Sequence, residues 1–265
     1  MRGTVILFFG ISALFLSGAG RAWADDEDVF GQTKQSEAAF MGVLYDLKQT
    51  QDHKPTNVDP ETYTTVLDEY LSKGWDESVL NRYYRVSKPL FTTQVFVPNM
   101  NADNAPKAFG AEKMVKPSRW VIHYKGQVSA PEPGTYRFWG IADDIMAVAI
   151  NGKTELVGAR HDMHMVKTNW HASERDGAHE GDGDLVPGDW FTIKAGEIID
   201  LDIIIGERPG GLFNAFVMLE KQGASYETDR RGKLILPIFQ IAPYDTPKAH
   251  DAEFATGAPL WKSYQ

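Results

Sequence analysis

The sequence predicts a mainly β protein: an antiparallel β-sandwich or jelly-roll-like barrel with a short N-terminal helical insertion. Three observations lead there. From Leu90 onward apolar residues fall in runs of strand length, such as Phe91 to Val97, Met146 to Ile150, Ile198 to Ile205 and Phe213 to Glu220. Turn-forming clusters punctuate these runs, at Pro131-Glu132-Pro133-Gly134, Asn151-Gly152, Pro187-Gly188, Ala195-Gly196 and Pro209-Gly210-Gly211. Helical spacing is confined to 59–85, and many short strands separated by such turns fold as sandwiches or barrels.

Residues 1–24 have the layout of a signal peptide: Arg2, an apolar run from Val5 to Leu16, then Ala22-Trp23-Ala24 before Asp25. The run is short for a membrane span, and Gly18 and Gly20 follow it, so the expectation is export and cleavage without membrane insertion of the mature chain. Residues 25–35 are polar and acidic and are read as a flexible start. Residues 36–222 form the β-domain, and 223–265 an extension packed on it.

Ala39 to Leu47 is the first strand expected. Asp59 caps a helix that starts at Pro60, carries Tyr63, Val66, Leu67, Tyr70 and Leu71 on one face, and stops at Gly74. A second, shorter helix is expected from Asp76, with Val79, Leu80, Tyr83 and Tyr84 on its apolar stripe. Further strands follow at Arg119 to Tyr124 with Val128, Gly134 to Gly140, Trp190 to Ile193, and Leu234 to Ile241. Tyr136, Phe138 and Gly140 before the acids Asp143-Asp144, and Met146, Val148 and Ile150 after them, read as a hairpin with a decorated tip. The interval 158–188 reads as a long polar loop.

The chain has no cysteine, so its core and not disulfides must hold it. Its formal charge is -9, and loss of Arg2 and Arg21 with the leader makes the mature chain more negative by two. That balance disfavours nucleic acid and anionic membranes as partners, and it suits cations and neutral sugars.

Several motifs together resemble one family. These are Trp120-Val121-Ile122-His123-Tyr124, Gly134-Thr135-Tyr136-Arg137-Phe138, Ala142-Asp143-Asp144, Ile150-Asn151-Gly152-Lys153 and Lys194-Ala195-Gly196-Glu197. In this order they resemble the PA14 domain family, over roughly Phe40 to Lys221. The resemblance implies a β-sandwich of bacterial exoproteins, glycosidases, toxins and yeast adhesins, often associated with carbohydrate binding. In adhesin members an Asp-Asp pair joined by a cis bond holds a calcium ion that also contacts sugar hydroxyls; by position this implies Asp143 and Asp144. Calcium takes about 6–8 oxygen ligands, which would leave places for vicinal hydroxyls. Ile145 stands where many members have Gly, and Asn214 is the best match to a further side-chain oxygen. The alternative for the pair is a turn device accepting backbone N–H groups.

Other constellations point less far. His161, Asp162, His164, His171, His179, Asp182 and Asp184 resemble a metal loop but lack closed zinc spacing, and a polar solvated loop accounts for them. Asp182-Gly183-Asp184 lacks the further acids of an EF-hand. Glu207-Arg208-Pro209-Gly210-Gly211 is a turn between strands, since neither Lys-Ser/Thr nor a helix follows it. With no Gly-x-Ser-x-Gly elbow, His-Glu-x-x-His motif or cysteine, catalysis is not expected. Trp120 and Trp190 lie in apolar strands and are assigned to the core, whereas Trp170 is expected to be exposed and able to flank a ligand.

The function expected is therefore an exported, non-catalytic carbohydrate-binding module that takes a glycan at Asp143, Asp144, Asn214 and Trp170, with calcium as its cofactor. The alternative is a structural or interaction subunit docking on an envelope protein through its helices or around Leu260 and Trp261.

Overall fold

Two antiparallel sheets face each other in the computed structural model, which describes residues 28–36, 38–160, 163, 165, 179–180, 183–230, 232–243, 254–257 and 259–264. In chain order the elements are β1 (Phe40–Asp46), α1 (Pro60–Ser72), β2 (Tyr84–Arg85), β3 (Leu90–Thr92), β4 (Phe96–Asn101), α2 (Asn104–Ala108), β5 (Trp120–Ser129), β6 (Gly134–Asp143), β7 (Ile145–Ile150) and β8 (Lys153–Ala159). Then come β9 (His179–Glu180), β10 (Gly183–Asp184), β11 (Val186–Pro187), β12 (Phe191–Ile193), β13 (Ile199–Glu207), β14 (Leu212–Lys221) and β15 (Lys262–Tyr264). The larger sheet runs β2-β1-β5-β13-β7-β8, with β3 also on β1 and β15 on β5; the smaller runs β11-β6-β14-β4, with β12 on β6. β9 and β10 pair with each other.

The main core lies between the sheets, where Trp120, Ile122, Val148 and Ile203 of the larger meet Phe138, Phe213, Ala215 and Val217 of the smaller. Each sheet is also covered on its outer face. Tyr63, Val66, Leu67, Tyr70 and Leu71 of α1 pack on Val43, Val121, Ala147 and Ile204, forming a second core. Leu236 and Ile238, from the segment after β14, cover Phe96, Phe216 and Met218 in a third. Burial on both faces explains the unbroken apolar runs of β7 and of β13 from Ile203, where a half-exposed strand would alternate.

Local signals set α1 as the sequence predicts: the Asp59 side chain accepts the Thr62 N–H, Pro60 opens the helix, and Gly74 leaves it with φ +70°. The expected second helix is instead a single 3-10 turn, Leu80–Arg82. The Asp76 side chain takes the Ser78 N–H in a turn, and Tyr84 is drawn into β2 opposite Asp46. Val79, Leu80 and Tyr83 are nonetheless buried. The α2 segment gave no signal in the sequence.

Phe91 to Val97 is two strands, not one. The Thr92 hydroxyl donates to the Gln94 carbonyl at the point where the chain leaves the larger sheet for the smaller. Leu234 to Ile241 contributes isolated bridges rather than a strand, with Pro237 at its centre lacking an N–H; Leu236, Ile238, Phe239 and Ile241 are still buried. β8, within a stretch assigned no strand, pairs with β7 across the Asn151-Gly152 turn, whose φ values of +49° and +74° fit a primed hairpin turn. Trp120 is buried, as expected, but Trp190 is 38% exposed. It precedes β12, whose first residue Phe191 faces inward, and the Arg137 guanidinium carbon lies 4.4 Å from its ring centre. Among the described residues no helix is long and apolar enough to cross a membrane.

Candidate functional site

β6 belongs to the smaller sheet and β7 to the larger, so Asp143-Asp144 is the corner between sheets and not the tip of a hairpin. Its peptide bond is cis. Along β6 and β14 the register sets Asn214 opposite Asp143, beside an irregularity between Phe213 and Ala215 where β14 pairs with β4. Three residues named by the sequence thus share the corner: Asp143 at the end of β6, Asp144 just after it, and Asn214 on β14.

Backbone and side chain both tie Asp144 in place. Its N–H donates to the Gly206 carbonyl at 3.1 Å, and its carbonyl accepts the Arg160 N–H at 2.7 Å. Its Oδ2 accepts the Arg208 N–H at 2.7 Å. Asp144 and Asn214 are fully buried and Asp143 is 6% exposed. Backbone N–H acceptance of this kind is what a turn-forming carboxylate does.

Two guanidinium groups face the pair. Arg160 Nη1 lies 3.5 Å from Asp143 Oδ1 and 3.8 Å from Asp144 Oδ1, and Arg208 Nη2 lies 3.9 Å from Asp144 Oδ1. A third carboxyl, Glu207 at the end of β13, is 1% exposed, and its Oε1 accepts the Gly210 N–H at 2.6 Å. Burial, then the charges of Asp144 and Asp143, push its pKa up to about 9, so at neutral pH it stays protonated. Among the described residues the corner thus sets two arginines against the two aspartates.

This arrangement does not fit a calcium ion bridging the pair. Arg160 Nη1 lies against Oδ1 of both acids, the two atoms an ion bridging the pair would share, and its N–H groups can only donate. Among the described residues no three His, Asp or Glu side chains are grouped to hold a metal.

Sequence reasoning found Asp143, Asp144 and Asn214 and missed Glu207, Arg160 and Arg208. The signal for Glu207 was present: a carboxylate continuing the apolar run Ile203-Ile204-Ile205-Gly206. Arg160 carried none, standing at the head of a polar interval. Trp170, His161, Asp162, His164, His171 and Asp182 lie outside the described residues. His179 and Asp184 are described by backbone alone, opposite each other in the β9–β10 ribbon.

No family model matches the chain, and no curated protein matches it. Among solved structures, it is similar to a PA14 sugar-binding domain from an RTX adhesin, at 13% identity and TM-score 0.36, covering 72% of this chain and 94% of that one. It is similar to the PA14 domain of the MpAFP antifreeze protein at 16% identity and TM-score 0.42, covering 72% and 88%. It is also similar to the Epithelial Adhesin 6 A domain of Candida glabrata, solved with Galb1-3GlcNAc, at 11% identity and TM-score 0.41, covering 80% and 95%. Scores and identities this low say nothing of what this chain binds.

Proposed function

We propose that this chain is an exported, non-catalytic carbohydrate-binding module of PA14-like type, with its site at the Asp143-Asp144 corner. One observation carries the reading: Asn214 stands opposite Asp143, so the residues that the motif resemblance implies for a sugar site share one corner of the sandwich. The acids themselves are buried, while the Arg160 side chain beside them is 26% exposed and within a ligand's reach. Its N–H groups, held by the acid pair, suit the oxygen lone pairs of sugar hydroxyls. Trp170 remains a sequence-based candidate for stacking on a sugar ring.

The interaction-subunit reading requires an apolar surface on the helices or around Leu260 and Trp261. The apolar face of α1 is buried on the larger sheet, and Trp261 is buried between Tyr136 and Phe239. Leu260 alone of these is exposed. Trp261 also lines an apolar cavity with Tyr136, Leu219, Tyr226 and Phe239, so the interaction reading stands as the alternative.

Glycan-array binding of the purified protein tests it, with Asp143→Asn and Arg160→Gln alongside. Binding lost in both variants, each folded by circular dichroism, would support the corner as the site. Binding untouched by either places the site elsewhere, with Trp170→Ala the next variant. A folded wild type that binds no glycan overturns the reading.

A further inference from the structure

We propose that the Arg160 guanidinium takes the structural place of a calcium ion at the Asp143-Asp144 corner, so that the site works without metal. The proposal concerns the corner of the proposed sugar site, but its readout needs no sugar. Three observations support it.

First, one nitrogen, Arg160 Nη1, lies within ion-pair distance of Oδ1 on both acids, at 3.5 and 3.8 Å. A cation bridging two neighbouring carboxylates makes the same pair of contacts. Second, the arginine is built into the corner by its backbone as well, since its N–H donates to the Asp144 carbonyl at 2.7 Å. That bond fixes where the side chain starts, so the guanidinium is delivered to the acids by the strand end of β8. Third, a second guanidinium, Arg208, lies 3.9 Å from the same Asp144 Oδ1, while its own N–H holds Oδ2.

The charge balance follows from these distances. Calcium binds oxygens at about 2.3–2.6 Å, so an ion on Asp144 Oδ1 would lie within about 6.5 Å of the nearest nitrogen of both guanidiniums. An ion there would be repelled by both guanidiniums, and both are less exposed than a surface arginine, at 26% and 13%. The guanidinium differs from the ion in what it offers a ligand: directed N–H donors, where calcium offers open coordination positions.

The test is a calcium titration by calorimetry, together with thermal unfolding in calcium and in EDTA, on the wild type, Arg160→Met and Asp143→Asn. The wild type is expected to take up no calcium to millimolar concentration and to unfold at the same temperature in both buffers. Arg160→Met removes the guanidinium that spans the two carboxylates, leaving Arg208 on Asp144, and is expected to gain a calcium-dependent rise of about 5 °C at calcium well above its dissociation constant. Should Arg160→Met fail to fold, Arg160→Gln carries the same expectation with a polar, uncharged side chain. Calcium uptake by the wild type that Asp143→Asn abolishes would overturn the proposal. So would a folded Arg160 variant that stays indifferent to calcium, because the arginine would then not be standing in for an ion. Failure of every glycan to bind leaves these outcomes unaffected and sinks only the sugar reading.

Discussion

Asn214 of β14 faces Asp143 of β6 across the smaller sheet, and both lie at the end where that sheet hands the chain to the larger one. A neutral amide there keeps a further negative charge out of a corner already holding Asp143, Asp144 and Glu207. Asn214→Asp should therefore destabilise the protein by about 3 kcal/mol at pH 7.5, the scale of an uncompensated buried charge. The loss should shrink at pH 5, where the new acid can take up a proton. Urea unfolding at both pH values checks this, and an equal loss at both would mean that packing rather than charge sets the cost.

Glu207 makes a pH-dependent contribution of known sign. Its folded pKa of about 9 lies above its ordinary value of 4.5, so between those limits the folded state keeps a proton that the unfolded chain has lost. Its contribution to stability therefore declines as pH rises through that window, by up to about 1.4 kcal/mol per pH unit. Glu207→Gln keeps an acceptor for the Gly210 N–H and removes the titration. The variant should be the more stable protein at pH 8, with its advantage smaller at pH 6, as measured by urea midpoints.

Gly206 sits under α1. A Cβ there would meet the Tyr63 hydroxyl, and that buried hydroxyl donates to the Trp120 carbonyl at 3.0 Å. Gly206→Ala should cost about 2–3 kcal/mol through overpacking. Tyr63→Phe removes the obstructing oxygen, so the same substitution in that background should cost at least about 1 kcal/mol less. Strict additivity in the double-mutant cycle would refute the contact.

Trp261 joins the last segment of the chain to the core, edge-on to Tyr136 and Phe239 at centroid distances of 5.4 and 5.3 Å. Trp261→Ala should lower stability by about 3–5 kcal/mol, as large-to-small changes in cores do. A loss under 1 kcal/mol in denaturant titration would show that this segment is an accessory and not part of the fold.

Sequence reasoning worked where one residue's chemistry fixes local geometry. Asp59-Pro60 started α1, Asn151-Gly152 closed a hairpin, alternation placed β6, and turn-bounded apolar runs placed β5 and β14. It failed where tertiary pairing decides. Tyr84 has the spacing of a helix but belongs to a strand because β1 pairs with it, and Leu234 to Ile241 reads as a strand but serves as a cover. At the corner, the acids were legible because two adjacent carboxylates are conspicuous in a strand. Their partners were not: Arg160 comes from the end of β8 and Arg208 from beyond β13, and only the folded register brings them together.

β1 and β15 lie along the same strand. Met41 pairs with Lys125 of β5 and Tyr264 with Gln127, so the last strand runs head to tail into the first. Tyr264 and Phe40 are thus neighbours along one edge of β5, whose other edge carries β13, so this central strand is paired on both sides almost from end to end.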